Sequence, residues 1–220
     1  MLNKTAAIIL ANEPVKNPSE DIGTMLLCNK PLINHAFNNV NSIVDEVIIV
    51  TNTQEQTEKY AAILPKTVHF VIDNNEQLTQ TPLSGAIAGF EAAQSKYAIL
   101  LPYDSPLVNK ELAMFLLDLA EGKTAVVPRN ADGDIEPLCS VYQTKTVLAT
   151  AKKVAAQGAV DLQTLVEKLQ GVRYISKMIV EQIDPELHSF LSINTQVGIK
   201  RATVILQEKN REPKNKRQTT

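Results

Sequence analysis

One aspartate, Asp104, stands out because of its setting. It follows the apolar stretch Tyr97–Leu101 and lies between Pro102 and Pro106. Carboxylate oxygens are preferred ligands of hard cations such as Mg²⁺, so Asp104 is a candidate metal ligand. The local sequence also allows a plainer interpretation, in which Asp104 caps the helix that begins near Pro106 or forms a turn.

Polar side chains follow three other apolar stretches of the chain. They are Asn12, Asn52 and Asp73. Amide and carboxylate groups of this kind can hydrogen-bond a nucleotide base and complete the surroundings of a bound cation. If the apolar stretches are parallel strands of one sheet, these residues and Asp104 meet at its ligand-binding edge.

Short apolar runs alternate along the chain with helical patterns. The runs lack period-two alternation, which is typical of strands buried on both faces of a mostly parallel sheet. They are Thr5–Leu10, Glu46–Val50, Val68–Ile72, Tyr97–Leu101 and Thr124–Val127. Helical spacing begins at Pro31 and covers Glu55–Leu64, Ser84–Ala93 and Lys110–Ala120. This order predicts an α/β fold, a single-domain Rossmann-like doubly wound sheet with helices on both faces.

Composition excludes several classes of protein. The apolar fraction of 44% and the charged fraction of 21% are those of a globular chain. Lys and Arg number 22 against 24 Asp and Glu, so no positive excess is available for nucleic acid. No apolar stretch approaches a membrane span, and Cys28 and Cys139 lack metal-ligand spacing. We therefore expect a cytoplasmic protein with no nucleic-acid or membrane partner.

Positive charge is concentrated at the C-terminus. Residues 207–220 hold five basic and two acidic residues and show no apolar periodicity. We expect one domain over residues 1–206, followed by a basic, disordered tail over residues 207–220.

Seven segments, in order, carry a family resemblance. They are AAIILAN at 6–12, NKPL at 29–32, VDEVIIVTN at 44–52, TPLSGAIAGFEAA at 81–93, YAILLPYDSPLV at 97–108, EPLCSVY at 136–142 and SINTQ at 192–196. Together they resemble the molybdenum cofactor guanylyltransferases, nucleotidyltransferases with the fold of the nucleotide-diphospho-sugar transferases. The likeness covers residues 5–197, and its shared order and spacing carry more weight than any single segment.

The resemblance implies a nucleotide side of the site. The backbone of Leu10, Ala11 and Asn12 would lie against the nucleotide, while Asn52 and Asp73 would contact the guanosine part. Asp104 would hold Mg²⁺ against the phosphates.

The resemblance also implies an acceptor side, where Asn194 would act beside Ser192 and Thr195 on the pterin phosphate. Asp104 and Asn194 are thus the implied catalytic residues. The implied reaction is attack by a terminal phosphate of a molybdopterin-type cofactor on the α-phosphorus of GTP, with release of pyrophosphate. Molybdoenzymes or other proteins of cofactor biosynthesis are further candidate partners.

The loop after the first strand departs from the family pattern, Leu-Ala-Gly-Gly-x-Ser-x-Arg-Met-Gly-x-Asp-Lys. Asn12 and Glu13 replace the two glycines, Ile22 stands at the lysine, and Asp21 is retained. Glycines there would let backbone N–H groups approach a triphosphate closely. Lys16 is the only cation of this loop.

Lys16 and the nearby Lys30 are therefore the candidate phosphate contacts. Three interpretations remain open: a divergent guanylyltransferase, an impaired member that binds a cofactor or partner protein, and a nucleotidyltransferase for another nucleotide such as CTP and another acceptor. The retained Asp104 and Asn194 favour an enzyme.

Overall fold

A mixed sheet organises the chain in a computed structural model that describes residues 4–12, 21–74 and 80–211. Within these ranges the strands are β1 (Thr5–Ala11), β2 (Leu26–Leu27), β3 (Lys30–Pro31), β4 (Glu46–Thr51), β5 (His69–Ile72), β6 (Tyr97–Pro102), β7 (Ala125–Arg129), β8 (Ser140–Gln143) and β9 (Val172–Ser176). The α-helices are α1 (Leu32–Val40), α2 (Gln54–Ala61), α3 (Pro82–Ala92), α4 (Lys110–Asp118), α5 (Thr144–Ala155), α6 (Leu162–Lys168), α7 (Lys177–Ile183) and α8 (Gln196–Arg211).

The order of the main sheet is β5-β4-β1-β6-β8-β7-β9, and β2 and β3 form a separate hairpin. Strand β1 pairs in parallel with both neighbours, so that Ala7 lies beside Val47 on one side and Ile99 on the other. Only β8 runs antiparallel, against both β6 and β7. The predicted doubly wound, mostly parallel sheet is confirmed.

Strand β1 contributes side chains to two hydrophobic cores because its alternate side chains point to opposite faces of the sheet. Ala7, Ile9 and Ala11 pack on the face covered by α1, α2, α4 and α7, whereas Ala6, Ile8 and Leu10 pack beneath α3, α5 and α6. All six residues are buried. Strands covered in this way read as continuous apolar runs, which explains why the sequence pattern locates them.

Helix α3 begins at a reciprocal cap that its sequence encodes. The Thr81 hydroxyl accepts a hydrogen bond from the Ser84 N–H at 3.1 Å, and the Ser84 hydroxyl accepts one from the Thr81 N–H at 3.0 Å. Pro82 takes the first helical position, where its missing N–H costs nothing. The helix therefore begins two residues before the predicted start at Ser84.

Helix α8 reaches into the segment that we expected to be a tail. Residues 207–211 are helical, and residues 212–220 lie outside the described residues. Ile199, Ile205 and Leu206 of this helix pack against a small core that contains Leu27 and Ile193. The division of the chain into 1–206 and 207–220 stays a prediction. None of the helices in the described ranges has the length and apolarity that a bilayer crossing requires.

Gly89 lets α3 approach β1, because a Cβ at this position would overlap Ile8 Cγ2. Gly89→Ala should lower the free energy of unfolding by about 1–3 kcal/mol, although the same change in an open helix stabilises by roughly 1 kcal/mol. Urea denaturation measures the difference. Gly198→Ala in α8 is the comparison, since its Cβ would make a tight contact at 3.3 Å with Ile193 Cγ2 and should cost less than the overlap at Gly89. Equal stability of Gly89→Ala and the wild type would contradict this packing.

Candidate active site

The carboxyl ends of the parallel strands meet at one edge of the sheet, which we call the ligand edge. Asn12 follows β1 there, Asn52 follows β4, Asp73 follows β5 and Asp104 follows shortly after β6. The chain turns to β4 and β5 on one side of β1 and then crosses to β6 on the other side. Such a switch in strand order opens a crevice for ligands, here between β1 and β6.

Asn12 and Asp73 meet in a buried polar junction. The Asn12 Nδ2 donates to Asp73 Oδ2 at 2.9 Å and to the Thr81 carbonyl at 2.9 Å. The Ser84 hydroxyl lies 2.5 Å from the same Asp73 oxygen. Asp73 also donates its backbone N–H to the Thr51 carbonyl at 2.8 Å, which extends the β4–β5 pairing. The junction therefore ties the ends of β1 and β5 to the start of α3.

The side chain of Asn12 occupies space that Gly85 leaves open. A Cβ at Gly85 would clash with the Asn12 amide. Asn12 stands where the resembled loop has glycine, and its buried amide supplies hydrogen bonds that a glycine could not. The backbone contact with the nucleotide that the resemblance implies at Asn12 stays a prediction, and the structure adds a side chain that joins β1 to Asp73.

Asn52 lines a cavity of about 150 Å³, and this cavity is separate from the junction of Asn12 and Asp73. Its backbone N–H donates to Gln56 Oε1 at 2.9 Å, and Gln56 Nε2 donates to the Ala11 carbonyl at 3.1 Å. Lys59 also lines this cavity and pairs with Glu55 at 2.8 Å. Asn52 is thus held beside the end of β1, although Asp73 lines a different groove along β5, α3 and α5.

Asp21 lies under the same cavity and was not among the predicted site residues. Its carboxylate accepts hydrogen bonds from the Tyr60 hydroxyl at 2.7 Å and from the Gly23 N–H at 3.0 Å. Burial raises the pKa of Tyr60, and the negative charge of Asp21 raises it further, so the phenol stays protonated and donates. Only its place in the family motif could have pointed to Asp21.

The carbonyl groups of Leu10 and Ala11 are already bonded within the protein. The Leu10 carbonyl accepts from the Tyr103 N–H at 3.0 Å, and the Ala11 carbonyl accepts from Gln56. The end of β1 is consequently rigid and links β4, α2 and the segment that carries Asp104. Its predicted contact with a nucleotide stays a prediction.

Asp104 is buried, with 4% of its surface exposed, and borders a cavity of about 150 Å³. The Ser192 hydroxyl donates to Asp104 Oδ2, and the Ile193 N–H donates to the Asp104 carbonyl at 2.8 Å. Burial raises the pKa of Asp104, and the hydrogen bond from Ser192 opposes that rise. The pKa of Glu136 in the same cavity is also raised by burial, against the lowering effect of Lys177.

The segment 192–195 lies beside Asp104 through these two hydrogen bonds. Ser192 contacts the carboxylate directly, while Asn194 and Thr195 are exposed on the following turn. Thr195 accepts the Gly198 N–H at 3.1 Å and so caps α8. The structure therefore brings Ser192 into contact with the predicted metal ligand, and Asn194 and Thr195 follow in the same segment, although the separation in sequence is large.

The two candidate phosphate-binding lysines differ in what the structure shows. Lys16 lies outside the described residues. Lys30 is exposed in the β2–β3 hairpin, and no hydrogen bond or ion pair joins it to the other candidates within the described ranges. Ile22, at the position of the family's lysine, packs against the hydrophobic cores. Its side chain serves packing in this chain.

Metal ligation at this edge would depend on few protein groups. The described residues hold no group of three His, Cys, Asp or Glu side chains that could coordinate an ion. Asp104 and Glu136 are the two carboxylates that line one cavity. Glu136 precedes the antiparallel β8, so a search of residues that follow strands misses it.

A family model described as the MobA-like NTP transferase domain matches residues 20–172. The chain belongs to this family. It is a nucleotidyltransferase, and its sheet carries the fold of the nucleotide-diphospho-sugar transferases. The matched region begins at residue 20, after most of the loop that departs from the glycine-rich pattern.

Relatives and solved structures agree with that membership. A protein of Methanosarcina mazei named "Probable molybdenum cofactor guanylyltransferase" is 31% identical over 76% of this chain and 75% of its own length. The molybdenum cofactor guanylyltransferase of Desulfosudis oleivorans is 27% identical over 83% of this chain and 85% of its own.

The structure of molybdopterin-guanine dinucleotide biosynthesis protein A from Archaeoglobus fulgidus shares this fold. It has a TM-score of 0.76 at 21% identity and covers 92% of this chain and 99% of that chain. The structure of a 4-diphosphocytidyl-2C-methyl-D-erythritol synthase from Anaerococcus prevotii has a TM-score of 0.69 at 15% identity. It covers 93% of this chain and 96% of that chain. The same fold therefore occurs in solved structures of different biosynthetic proteins.

Asn12→Asp should destabilise this nucleotidyltransferase in a pH-dependent way. The new carboxyl would lie against Asp73 Oδ2, and two buried carboxylates in contact hold a proton above the ordinary Asp pKa. Stability should fall as the pH rises from about 4, with a loss of about 3 kcal/mol or more at pH 7. Urea denaturation between pH 4 and 8 tests this, with Asn38→Asp on the exposed face of α1 as the control. Parallel pH curves for the two variants would refute the buried junction.

Asp104→Asn should raise the melting temperature at pH 7. Because burial raises the pKa of Asp104 in the folded state, ionisation of this carboxyl opposes folding above its unfolded pKa. Removal of the charge should therefore stabilise the folded state at pH 7, and the gain should vanish towards pH 4. Thermal melts across this range measure it. The exposed Asp118→Asn is the control, and a pH-independent gain at Asp104 would count against the assignment.

Proposed function

We propose that the protein transfers GMP from GTP to a terminal phosphate of a molybdopterin-type cofactor, with Mg²⁺ bound and pyrophosphate released. The names of the relatives support this donor and acceptor. The observation that carries the proposal is Asp104, a buried carboxylate next to the crevice between β1 and β6, with segment 192–195 bonded to it.

The residues around Asp104 fit Mg²⁺. This ion is usually held by one or two carboxylates together with substrate phosphates and water, and Asp104 and Glu136 line one cavity. A cation between them would also offset the cost of burying their charges, which is visible in the raised pKa of both carboxyl groups. When bound, Mg²⁺ would supply charge neutralisation at the phosphates and the leaving group.

The chain's own groups orient the reactants. Ser192 fixes one oxygen of Asp104, and the Ile193 N–H fixes the backbone of the same residue. Ser192, Asn194 and Thr195 then present polar groups to the acceptor phosphate. That phosphate is already ionised near neutral pH, so the attack on the α-phosphorus requires no general base from the protein.

The nucleotide would occupy the β1–β4–β5 side of the ligand edge. Asn52 and Asp73 would contact the guanosine part, and a carboxylate suits the neighbouring N–H donors of guanine. The backbone near Leu10, Ala11 and Asn12 would lie against the nucleotide, and Lys16 and Lys30 remain the proposed phosphate contacts. Lys59, which lines the Asn52 cavity, adds a cation that the sequence did not single out.

A second candidate function is binding without transfer, for a cofactor or for a partner such as a molybdoenzyme. The altered loop favours it, because Ile22 packs in the core where the family carries a phosphate-binding lysine. The use of another nucleotide, such as CTP, is the third candidate. Asp104 and its bonded segment favour transfer over both.

Calorimetric titration of GTP, CTP and ATP with and without Mg²⁺ separates these functions. We expect GTP-selective, Mg²⁺-dependent binding and pyrophosphate release when the acceptor is added. Asp104→Asn should abolish the Mg²⁺ dependence and lower transfer at least about 100-fold, while Asp118→Asn should behave as wild type. Nucleotide binding without transfer would support the binding protein, and full activity of Asp104→Asn would refute the metal role.

A further inference from the structure

A second pocket opens at the ligand edge on the side of β6 away from β1. It lies at the carboxyl ends of β7 and β9 and has a volume of about 270 Å³. Its lining includes Arg129, Asn130, Tyr174, Ser176, Lys177 and Met178. We call it the Arg129 pocket. None of these residues is among the site residues that the sequence motifs predict.

The guanidinium of Arg129 lies over an aromatic ring. Its central carbon lies 4.5 Å from the centroid of the Tyr174 ring, a distance typical of a cation–π contact. A guanidinium group is planar, so it can stack on a second flat ring while its N–H groups donate hydrogen bonds at its edge. In the described ranges, neither Arg129 nor Lys177 forms an ion pair with a carboxylate.

The charge of the pocket favours an oxygen-rich ligand. Among the residues that the structure describes, two cations line it and no carboxylate does. Asp132 and Asp134 lie on the adjoining turn, where Asp132 Oδ1 accepts the Asp134 N–H at 3.1 Å. The exposed Met178 and the Tyr174 ring add apolar surface, so the lining combines positive charge with room for a flat ring.

The Arg129 pocket adjoins the cavity of Asp104. Glu136 lines the Asp104 cavity, and its N–H donates to the Pro128 carbonyl at 3.0 Å, one residue before Arg129. Only β8 separates β6 from β7, so neighbouring strand spacings put the ends of β6 and β7 about 10 Å apart. One extended ligand could therefore reach both cavities.

We propose that the Arg129 pocket binds the ring end of the acceptor, a planar heterocycle that carries oxygen acceptors, while the acceptor phosphate lies beside Asp104. This inference rests on the proposed function and adds the subsite for the part of the acceptor that does not react. Arg129 and Lys177 bind the oxygens, and the free face of the guanidinium stacks on the ring. The nucleotide lies on the other side of β6 and makes no contact with this pocket.

The test uses pterin-6-carboxylate, a fluorescent planar heterocycle with oxygen acceptors, in anisotropy titrations with the full chain. The double variant Arg129→Gln/Lys177→Gln should bind this probe at least about tenfold more weakly than the wild type. GTP affinity, measured in the same samples, should change less than about twofold. Arg129→Lys, which keeps the charge but loses the planar fork, should bind the probe with intermediate affinity.

Lys145→Gln/Lys168→Gln is the matched control. It changes the net charge equally, and both lysines are exposed near the opposite edge of the sheet, where β8 ends and β9 begins. Unchanged probe binding by this control supports the pocket, whereas equal weakening would overturn it. No probe binding by the wild type, or displacement by inorganic phosphate at equal concentration, would also overturn it. Failure of GTP binding with Arg129-dependent probe binding would refute the proposed transfer and leave the pocket standing.

Discussion

The enclosure of β1 is the constraint on which the rest of the structure depends. This strand pairs on both edges and is covered on both faces, so its backbone groups and its side chains are all fixed by neighbours. Small residues such as Ala7 and Gly89 allow the helices to come close. Because the strand cannot shift, its carboxyl end defines where the crevice opens and which residues meet there.

A buried polar group must have partners, and this requirement shapes the nucleotide side of the crevice. Asn12 stands where the resembled loop has a glycine, and its amide is satisfied by Asp73 and the Thr81 carbonyl. The absence of a side chain at Gly85 makes room for that amide. The departure from the glycine pattern is therefore integrated into the packing around it, and it adds side-chain hydrogen bonds among β1, β5 and α3 that a glycine could not make.

Local pattern predicted the parallel half of the sheet well, for a physical reason. Strands buried on both faces are continuously apolar, so Thr5–Leu10 and Tyr97–Leu101 were located to within a residue, and Asn12 and Asp104 with them. The antiparallel β8 breaks the rule that ligand groups follow strands, since Glu136 precedes it. Asp21 and Tyr60 meet only through tertiary packing, so no spacing could reveal their hydrogen bond.

Helix α8 extends into the first residues of the C-terminal segment. Residues 207–211 carry no apolar periodicity of their own, yet they are helical. They continue α8, whose Ile205 and Leu206 pack against a core that includes Leu27. A helix already nucleated and packed adds residues at little entropic cost, so its end lies beyond the last apolar contact. Composition alone could not show this.

The polar groups on the two sides of the ligand edge have different surroundings. At the ends of β1 and β5, buried hydrogen bonds join Asn12 and Asp73 to groups of the protein itself. At Asp104 and Glu136, burial raises the pKa of both carboxyl groups, so the fold pays in stability to keep charge there. A bound cation would lower that cost. Asp104, buried beside a cavity that Glu136 also lines, is therefore the feature of this part of the edge that favours a ligand.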